Sequence, residues 1–526
     1  MAIYTIGLDF GTESARAVVV DTTDGREVMV RDYRYRHGVM DHALPNGRPL
    51  PPGWALQHPQ DYLEAAVDLL SAAADAVGGP NLVGIGLAFT ASTVLPTTAD
   101  GTPLCMLPTF VGEPHAYVKL WKHHSAAPQA ARIVALGGDC LAHTGGVTSA
   151  EWLHAKALET FENAPAVFAA SDRFIEAGDW LVWQMVGKEV RSACHAGFKA
   201  HYQKEYPPSD WLEQLAPGFG ALNDRLAPPT PVGACAGGVT DAWAQRTGLI
   251  AGTPVAVAVI DAHAAVPGLG VTGPGTLAVV MGTSTCHLLL DNNGRPAPGI
   301  AGVVEGGVYP GWYAYEAGQA ATGDMLSWWV HMLAGPDEVG ARHHQLECEA
   351  RALSPGGSGV LAVDWWNGSR TPLMDSRLAG VLIGLRIETQ PSDIYRALLE
   401  ATAFGNRQVI ERLEQQIGPV AAVRVSGGLT QNTLLMQIVA DVLGREIAVA
   451  STPHASARGA AIYGALAAGL GDVAALCGRM AVCEYKYYRP DRASTATYDQ
   501  LYAGYRELHQ HFGEGGTALL QHLRHG

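Results

Sequence analysis

Short runs of apolar residues alternate with longer amphipathic stretches along most of the chain. Five apolar runs have the length and the residue types of buried strands: residues 82–89, 255–260, 276–281, 423–425 and 447–450. Between them, segments such as 61–77 and 394–417 are long enough for helices. Strands that alternate with helices build layered sheets covered by helices. The pattern therefore predicts a mixed α/β fold.

One short turn, set each time between two apolar runs, occurs twice. The first copy is DFGTES at residues 9–14, and the second is MGTST at residues 281–285. Glycine lets a backbone approach a ligand closely, and the Thr and Ser residues that follow add N–H and O–H donors. Two matched hairpin tips predict two related domains that hold one polyanion between them. For either copy alone, an ordinary turn is the alternative interpretation.

The length of 526 residues predicts at least two sizeable domains. A glycine-rich stretch at residues 268–275 precedes the second turn, and we expect the domain junction there, at about residue 270. The expected organisation is an N-terminal domain over 1–270, a C-terminal domain over 271–485 and a helical tail over 486–526. In the tail, the spacing of Tyr498, Leu501, Tyr505 and Leu508 is typical of a docked helix.

The charge balance excludes some classes of partner. The chain has 35 Lys and Arg against 50 Asp and Glu, a formal charge of −15, which leaves no generally basic surface for nucleic acid or anionic lipid. A phosphate site must therefore be local. With 48% hydrophobic and 16% charged residues, the composition is typical of a large globular enzyme and not of a disordered chain.

The N-terminus and the cysteines indicate a cytoplasmic protein. The first residues lack a basic region and their apolar run is broken at Asp9, so they are typical of a first strand and not of a signal peptide. No apolar stretch has the ~20 uninterrupted residues of a bilayer span. The eight cysteines form no C-x-x-C pair, so we expect reduced thiols and no zinc site.

Asp261 is the candidate for catalytic chemistry. It follows an apolar strand and precedes His263 and the turn Pro267-Gly268. A carboxylate at the carboxyl end of a strand points into the crevice where α/β sheets bind ligands, and phosphoryl transfer needs one group to orient and deprotonate the attacking hydroxyl. The alternative is that Asp261 caps the following segment. For His263 a structural role is expected.

A glycine pair, Gly427-Gly428, lies between the apolar run at 423–425 and an amphipathic helix that includes Met436, Ile438 and Val442. Glycines at such a junction let a flat ring or a phosphate lie against the backbone, and a new helix offers free N–H groups. An adenine nucleotide would fit there. A plain strand-to-helix turn is the alternative.

Together these segments resemble the FGGY carbohydrate kinases, whose superfamily also includes actin and hexokinase. Five further segments carry the resemblance, which spans most of the chain from residue 5 to about 465: residues 114–124, 144–152, 260–264, 281–287 and 364–372. Within the family they most resemble the L-ribulokinases. The resemblance implies an α/β fold of two actin-like (ribonuclease H-like) domains, with ATP and a sugar in the cleft between them and Mg²⁺ on the phosphates. It also implies transfer of phosphate to the terminal hydroxyl of a ketopentose such as L-ribulose.

The resemblance further implies roles for individual residues. Asp261 would be the catalytic base, and Asp9 would hold the metal through water. The phosphates would be faced by Gly11, Thr12, Glu13 and Arg16 of the first turn and by Gly282, Thr283 and Ser284 of the second. The nucleotide site would include Gly323, Gly428 and Asn432. The sugar pocket would be formed by Ala91, Lys199, Asp261 and Glu316, since a lysine and a glutamate suit hydroxyls or a ketone and a small residue leaves room for a carbon.

The chain departs from the family pattern in places. Between Gly428 and the following helix it is one residue shorter than a ribulokinase would be, which affects the expected contacts of Gln431 and Asn432. Arg458 stands where an apolar residue is expected, so it either extends to the surface or contacts another group.

The alternative functions are a kinase for D-ribulose, D-xylulose or ribitol and, on the same fold, a non-catalytic sugar-binding regulator. A homodimer is a further possibility.

Overall fold

Two seven-stranded β-sheets, one in each half of the chain, form the centre of the computed structural model, which describes residues 2–335 and 338–523. The strands of the N-terminal half are β1 (Tyr4–Phe10), β2 (Ser14–Asp21), β3 (Glu27–Arg34), β4 (Leu56–Gln57), β5 (Leu82–Phe89), β6 (Val94–Thr97), β7 (Val118–Lys119), β8 (Arg173–Glu176), β9 (Cys235–Gly238), β10 (Pro254–Ala256) and β11 (Val259–Ile260). Its helices are α1 (Pro59–Val77), α2 (Ala127–Leu136), α3 (Leu153–Asn163), α4 (Pro165–Ala170), α5 (Ala177–Val186), α6 (Ala193–Lys199), α7 (Ser209–Leu215), α8 (Asp241–Thr247) and α9 (Asp261–Gly268).

The C-terminal half has the same alternation of strands and helices. Its strands are β12 (Thr276–Met281), β13 (Thr285–Asp291), β14 (Gly302–Glu305), β15 (Tyr313–Gln319), β16 (Leu361–Val363), β17 (Val381–Ile383), β18 (Ala422–Ser426), β19 (Ile447–Ala450) and β20 (Tyr485–Tyr488). Its helices are α10 (Gly323–His331), α11 (Val339–Arg351), α12 (Pro391–Ile417), α13 (Thr433–Leu443), α14 (Ala455–Ala467), α15 (Val473–Met480), α16 (Arg492–Gly513) and α17 (Leu519–Leu523). Across the described residues, no helix combines the length and the apolar character that crossing a membrane requires.

The two sheets share a local topology around the repeated turns. In the first sheet, of order β3-β2-β1-β5-β10-β9, β1 pairs antiparallel with β2 and parallel with β5, and β11 also pairs with β5. In the second, of order β14-β15-β13-β12-β18-β19-β20, β12 pairs antiparallel with β13 and parallel with β18. Each repeated turn is therefore the tip of a hairpin whose first strand is central in its sheet.

Most of the expected strands and helices form at the predicted positions, with one difference. The run at 255–260 is not a single strand, because β10 ends at Ala256 and β11 begins at Val259. The helix expected over 394–417 is α12, which begins with a capping box between Gln390 and Asp393 and stops before Gly418. Both β10 and β11 pair with β5, on either side of the interruption. Asp261 directly follows the last residue of β11.

Helix α14 belongs to the C-terminal half of the sequence but packs on the N-terminal sheet. A Cβ atom added to Gly7 in β1 would lie 1.7 Å from the carbonyl oxygen of Ala457, and one added to Gly86 in β5 would lie 1.7 Å from that of Ala460. The helix backbone thus rests directly on the strand backbones. The domain boundaries at about residues 270 and 485 stay a prediction, with Met1 and residues 524–526 outside the described residues.

Arg458 is the residue of α14 that departs from the expected apolar pattern, and its side chain is buried. Its Nη2 lies 2.7 Å from Oε1 of Glu27, and its Nη1 donates to the carbonyl oxygens of Gly25 at 2.7 Å and Met480 at 2.9 Å. Of the two expectations for Arg458, contact with another group is confirmed. The guanidinium ties α14 to the N-terminal sheet.

Helix α16 packs on the C-terminal domain through a buried polar network. The Tyr505 hydroxyl donates to Oδ1 of Asp364 at 2.7 Å, and Gln319 Nε2 donates to Oδ2 of the same carboxyl group at 2.7 Å. Asn406 Nδ2 donates to Oε1 of Gln319 at 2.7 Å and links the network to His287 of β13. The network lies beneath β15, the strand that carries Glu316.

We expect the substitution Gly86→Ala to lower the thermal denaturation midpoint sharply and to reduce the yield of folded protein. The added methyl group meets backbone and not a movable side chain, so α14 must shift, at a cost of about 3 kcal/mol or more. The control is Gly478→Ala in α15, where an added Cβ would meet nothing within 4 Å and helix propensity improves slightly. Equal midpoints for both variants would contradict the close approach.

Candidate active site

A cavity of about 280 Å³ lies between the two halves of the chain. Both hairpin tips reach it, together with the start of α9 and one residue each from α6 and β15. Among the residues predicted for the site, those that line the cavity are Gly11, Thr12, Ala91, Lys199, Asp261, Gly282, Thr283, Ser284 and Glu316. The cavity therefore joins predicted site residues that are as much as 305 positions apart, from Gly11 to Glu316, in one concave surface of the kind that binds small molecules.

The tip of the first hairpin is fixed by side chains from outside the hairpin. Its turn closes with a hydrogen bond from Gly11 N to Ser14 O at 2.9 Å. Gln57 Nε2 donates to the Thr12 carbonyl at 2.6 Å, and Trp121 Nε1 donates to the Thr12 hydroxyl at 3.0 Å. The backbone of the tip is thus held in one position at the edge of the cavity.

The tip of the second hairpin is one residue shorter and closes with a corresponding bond, from Gly282 N to Ser284 O at 2.9 Å. The start of α10 lies against it, since Gly323 N donates to Gly282 O at 3.1 Å and Thr322 N donates to Thr283 O at 3.0 Å. Gly323, predicted for the nucleotide site, therefore touches the second tip. The N-terminal N–H groups of a helix beside a glycine turn are suited to an anion.

Asp261 is the first residue of α9, directly after β11. Its Oδ1 accepts a hydrogen bond from the N–H of Ala262 at 2.7 Å, and Oδ2 accepts none from the described residues. An N-cap side chain would bond two or three residues ahead, so Asp261 does not cap α9 in that way. Burial raises the pKa of Asp261 to about 6. One carboxylate oxygen is thus available on a group whose basicity is higher than usual.

Asp9 is the second carboxylate near the hairpin tips. It lies at the end of β1, opposite Arg16 of β2. Burial and then the nearby charge of Asp261 raise the pKa of Asp9 to about 7, and the charge of Arg16 only partly compensates. Two neighbouring carboxylates that resist ionisation together form a site where a cation would be stabilised.

Lys199 and Glu316 form a buried ion pair across the two halves. Lys199 ends α6 and its Nζ lies 2.7 Å and 2.8 Å from the two carboxylate oxygens of Glu316 in β15. His263 Nε2 lies 3.4 Å from Oε2 of Glu316. Burial opposes ionisation, but Lys199 and His263 outweigh it and hold the pKa of Glu316 well below its usual range. The two residues expected in the sugar pocket therefore converge on the cavity wall.

Ala91 lies in a loop whose backbone is hydrogen-bonded to two buried side chains, Lys156 and Glu176. The neighbouring Ser92 has a φ of 54°, a conformation that non-glycine residues adopt rarely. The buried ammonium of Lys156 donates to the Ser92 carbonyl, and Thr93 N donates to Oε2 of Glu176 at 2.9 Å. Neither Lys156 nor Glu176 was predicted, because nothing in a single amino-acid sequence shows which distant loop a buried lysine supports.

Some predicted residues lie outside the set that lines the cavity. Arg16 pairs with Asp32 at 2.7 Å, and the Glu13 carbonyl accepts from Tyr35 N at 3.1 Å. Asn432 is the N-cap of α13, where its Oδ1 accepts from Leu435 N at 2.9 Å. Gly428 follows Gly427, whose φ is 103°, beside Met281 at the end of β12. Their contacts with a nucleotide stay a prediction.

The cavity also has lining residues that the sequence did not single out: Thr90, Ser92, Trp121, Glu151, Cys286 and Arg370. Glu151 and Arg370 occur in segments that carry the family resemblance. A charged side chain within such a segment could have indicated that these two residues belong to the site. Trp121 lines the cavity, whereas Trp180 and Trp365 are buried in the core.

Comparisons with known proteins agree with this architecture. Residues 4–268 match the N-terminal domain of the FGGY family of carbohydrate kinases, and residues 277–468 match its C-terminal domain. A ribulokinase of Geobacillus thermodenitrificans (strain NG80-2) is 42% identical over 546 residues, which cover 99% of this chain and 97% of the relative. A ribulokinase of Mycolicibacterium smegmatis is 42% identical over 542 residues, with 99% and 96% covered.

Solved structures show the same fold. A xylulose kinase from Rhodospirillum rubrum superposes with a TM-score of 0.78 at 26% identity, covering 99% of this chain and 100% of that one. A gluconate kinase from Lactobacillus acidophilus has a TM-score of 0.81 at 16% identity, with 98% and 99% covered. The predicted α/β fold of two actin-like domains is thereby confirmed. The chain belongs to the FGGY family of carbohydrate kinases and is an ATP-dependent sugar kinase.

Proposed function

We propose that this kinase phosphorylates L-ribulose at its terminal hydroxyl, giving L-ribulose 5-phosphate and ADP, as a step of arabinose breakdown in the cytoplasm. The observation that carries the proposal is the cavity in which Asp261, the Lys199–Glu316 pair and both hairpin tips meet. The name of the two 42% identical relatives, ribulokinase, supports the choice of sugar.

In the proposed reaction, Asp261 accepts the proton of the sugar's terminal hydroxyl as that oxygen attacks the γ-phosphorus of ATP. The new O–P bond forms while the bond between the γ-phosphorus and the β,γ-bridging oxygen breaks, and ADP leaves. The protein mainly orients the groups and stabilises charge in such a transfer. The raised pKa of Asp261 makes it a better proton acceptor than an ordinary carboxylate while leaving it ionised at neutral pH.

The hairpin tips would hold the phosphates in line with the sugar. The backbone N–H and hydroxyl groups of Thr12 on one side, and of Thr283 and Ser284 on the other, are donors of the type that bind phosphate oxygens. Gly11 and Gly282 let the backbone of each tip come close to such a ligand. Glu13, Arg16, Gly323, Gly428 and Asn432 are proposed to complete the nucleotide site. Closure of the two domains around both substrates would exclude water and suppress ATP hydrolysis.

Asp9 is the residue that we propose to hold Mg²⁺, through water. Burial and the charge of Asp261 raise the pKa of Asp9, so a cation beside it would stabilise the carboxylate form, which fits this role. When bound, Mg²⁺ would supply positive charge to the phosphates of ATP.

We propose that Ala91, Lys199 and Glu316 bind the sugar together with Asp261. The ammonium group of Lys199 can donate to a ketone or hydroxyl oxygen, and the carboxylate of Glu316 can accept from a hydroxyl. Their mutual pairing keeps both side chains in fixed positions on the cavity wall. Ala91 leaves space beside them, on a loop held by Lys156.

Turnover on a panel of sugars tests the substrate and the base together. ADP release with Mg-ATP should be fastest with L-ribulose among L-ribulose, D-ribulose, L-xylulose, D-xylulose, ribitol and glycerol. Asp261→Asn should lower kcat by about 10²- to 10⁴-fold, because the general base is lost. The matched control is Asp241→Asn, an exposed aspartate that is likewise the first residue of its helix, α8.

Three outcomes would contradict part of that proposal. If D-ribulose, D-xylulose or ribitol is turned over fastest, that sugar and not L-ribulose is the substrate. Undiminished turnover in Asp261→Asn would refute the assigned base. Tight sugar binding without any ADP release would indicate a non-catalytic binding protein on the same fold.

The pH profile provides a second test of Asp261. Because its pKa is raised to about 6, the carboxylate form that accepts the proton is lost as the pH falls through 6, well above the usual range. We expect log kcat/KM for the sugar to decline with a slope of one below about pH 6. Mg²⁺ and ATP must be saturating at each pH so that protonation of Asp9 does not limit the rate. A profile that is flat down to pH 5 would exclude this assignment.

The Lys199–Glu316 pair can be tested by a double-variant cycle. Lys199→Met leaves Glu316 buried and unpaired, at a cost of about 3–5 kcal/mol in stability, and Glu316→Gln leaves Lys199 unpaired. The combination of both changes should recover part of the lost thermal midpoint, because no buried charge stays without a partner. It should not restore the KM for the sugar. Additive losses in the double variant would show that the pair is not a unit.

A further inference from the structure

A second cation and carboxylate from opposite halves of the chain face each other on the cavity wall. Arg370 Nη2 lies 3.9 Å from Oε2 of Glu151, and both residues line the cavity. The Lys199–Glu316 pair, which also lines the cavity, is closed by two contacts of 2.7 Å and 2.8 Å. The separation of Arg370 and Glu151 exceeds a hydrogen bond, so this second pair is open.

The donors of Arg370 are largely unused. A guanidinium has five N–H donors, but the side-chain contacts that the described residues provide to Arg370 are the distant Glu151 and the Sγ of Cys286 at 4.0 Å. By contrast, Arg396 in the core lies 2.8 Å from Glu400 and 2.7 Å from the Tyr498 hydroxyl. The side chain of Arg370 is only 19% exposed, and it borders the cavity, so its donors are available to a ligand there.

The backbone next to Arg370 is fixed to the strand that carries Glu316. Thr371 N donates to Gly318 O at 3.0 Å, and Gly318 N donates to the Thr371 hydroxyl at 3.2 Å. On the other side of the cavity, Glu151 is held by His124, whose Nε2 lies 3.3 Å from Oε1. Both charged groups are therefore preorganised, which is what a selective binding site requires.

The charges around Arg370 favour a neutral ligand group over a phosphate. Glu151 and Glu316 are the carboxylates whose fields act on the guanidinium. Burial opposes ionisation of Glu151, yet His124 and Arg370 hold its pKa at about 2, so it is ionised. Two nearby carboxylates would repel a phosphate. A hydroxyl can instead accept from the guanidinium and donate to the carboxylate at once.

We propose that Arg370 and Glu151 bind a hydroxyl group of the sugar between them, from opposite sides of the cleft, and thereby determine which sugars the kinase accepts. The inference rests on the proposed ketopentose kinase activity and adds two specificity-determining residues to it. Because the two groups belong to different halves, a sugar that bridges them also contributes to holding the cleft closed.

The test is a cycle between protein variants and deoxy analogues of the sugar. The kinase, Arg370→Met, Arg370→Lys and Glu151→Gln are compared on the panel sugar with the highest kcat/KM and on its analogues that each lack one hydroxyl other than the phosphorylated one. We expect Arg370→Met to raise the KM for the parent sugar by ~10- to 100-fold, because it removes hydrogen bonds between the sugar and a charged group. The KM for ATP should change by no more than about twofold. Arg386→Met, an exposed arginine of the same half, is the control.

The decisive result is one analogue whose penalty disappears in the variants. For a single deoxy sugar, the loss in kcat/KM seen with the unchanged kinase should vanish in Arg370→Met and in Glu151→Gln, and should persist for the other analogues. Arg370→Lys keeps the charge but not the fork of donors, so it should recover part of the KM. Should Arg370→Met fail to fold, Arg370→Lys and Glu151→Gln give the same comparison.

Two results would overturn the inference. If each analogue loses the same factor in kcat/KM in the variants as in the unchanged kinase, neither residue contacts a hydroxyl. A rise in the KM for ATP with an unchanged KM for the sugar would place Arg370 at the phosphates. If the unchanged kinase releases no ADP with any sugar of the panel, the proposed function fails and this inference fails with it. If the unchanged kinase turns over the sugar and the variants keep its KM, only this inference is refuted.

Discussion

Direct contact between backbones at α14 is the constraint on which the rest of the structure depends. The helix comes from the far end of the sequence, yet it lies on β1 and β5 of the first sheet so closely that side chains are excluded at Gly7 and Gly86. Helix α9 packs against α14 itself, since a Cβ added to Gly459 of α14 would lie 1.7 Å from the Ala264 carbonyl oxygen of α9. The position of Asp261 at the start of α9 follows from this packing. Arg458 adds a buried ion pair to Glu27 at the same junction.

The electrostatics of the cavity fall into two kinds of arrangement. Lys199 and Glu316 neutralise each other at close range, which makes their burial tolerable and fixes their positions. Burial raises the pKa of both Asp9 and Asp261, and the charge of Asp261 raises the pKa of Asp9 further, with incomplete compensation. Strained electrostatics of the second kind are characteristic of functional sites, because a ligand or metal completes the balance. The open pair of Arg370 and Glu151 lies between these two cases.

The sequence predicted the parts of this structure that depend on local pattern or on recognisable segments. Apolar alternation located β5, β12 and α12, and the repeated Gly-Thr turns located both hairpin tips. The convergence of Lys199 and Glu316 was expected only through the family resemblance, since 117 positions separate them. The contacts of Asp9 with a metal, of Asp261 with a sugar and of the nucleotide-site residues with ATP stay predictions.

Long-range packing is what the sequence did not reveal. Nothing near Gly86 indicates that Ala460 will lie against it, and small residues are common in both sheets and helices. The break between β10 and β11 within one apolar run was missed because both parts are equally hydrophobic. Lys156 and Arg370 were missed because the importance of a buried charge depends on the distant groups that surround it.

The hydrogen-bonded network from Tyr505 to His287 links helix α16 to β15, the strand whose Glu316 lines the cavity. The Tyr505 hydroxyl occupies one oxygen of Asp364, and Gln319 at the end of β15 occupies the other. Without Tyr505, Oδ1 of Asp364 would lose this donor next to the strand that carries Glu316. Helix α16 therefore supports β15, and a change in this helix reaches a strand that lines the cavity through three hydrogen-bonded side chains, Tyr505, Asp364 and Gln319.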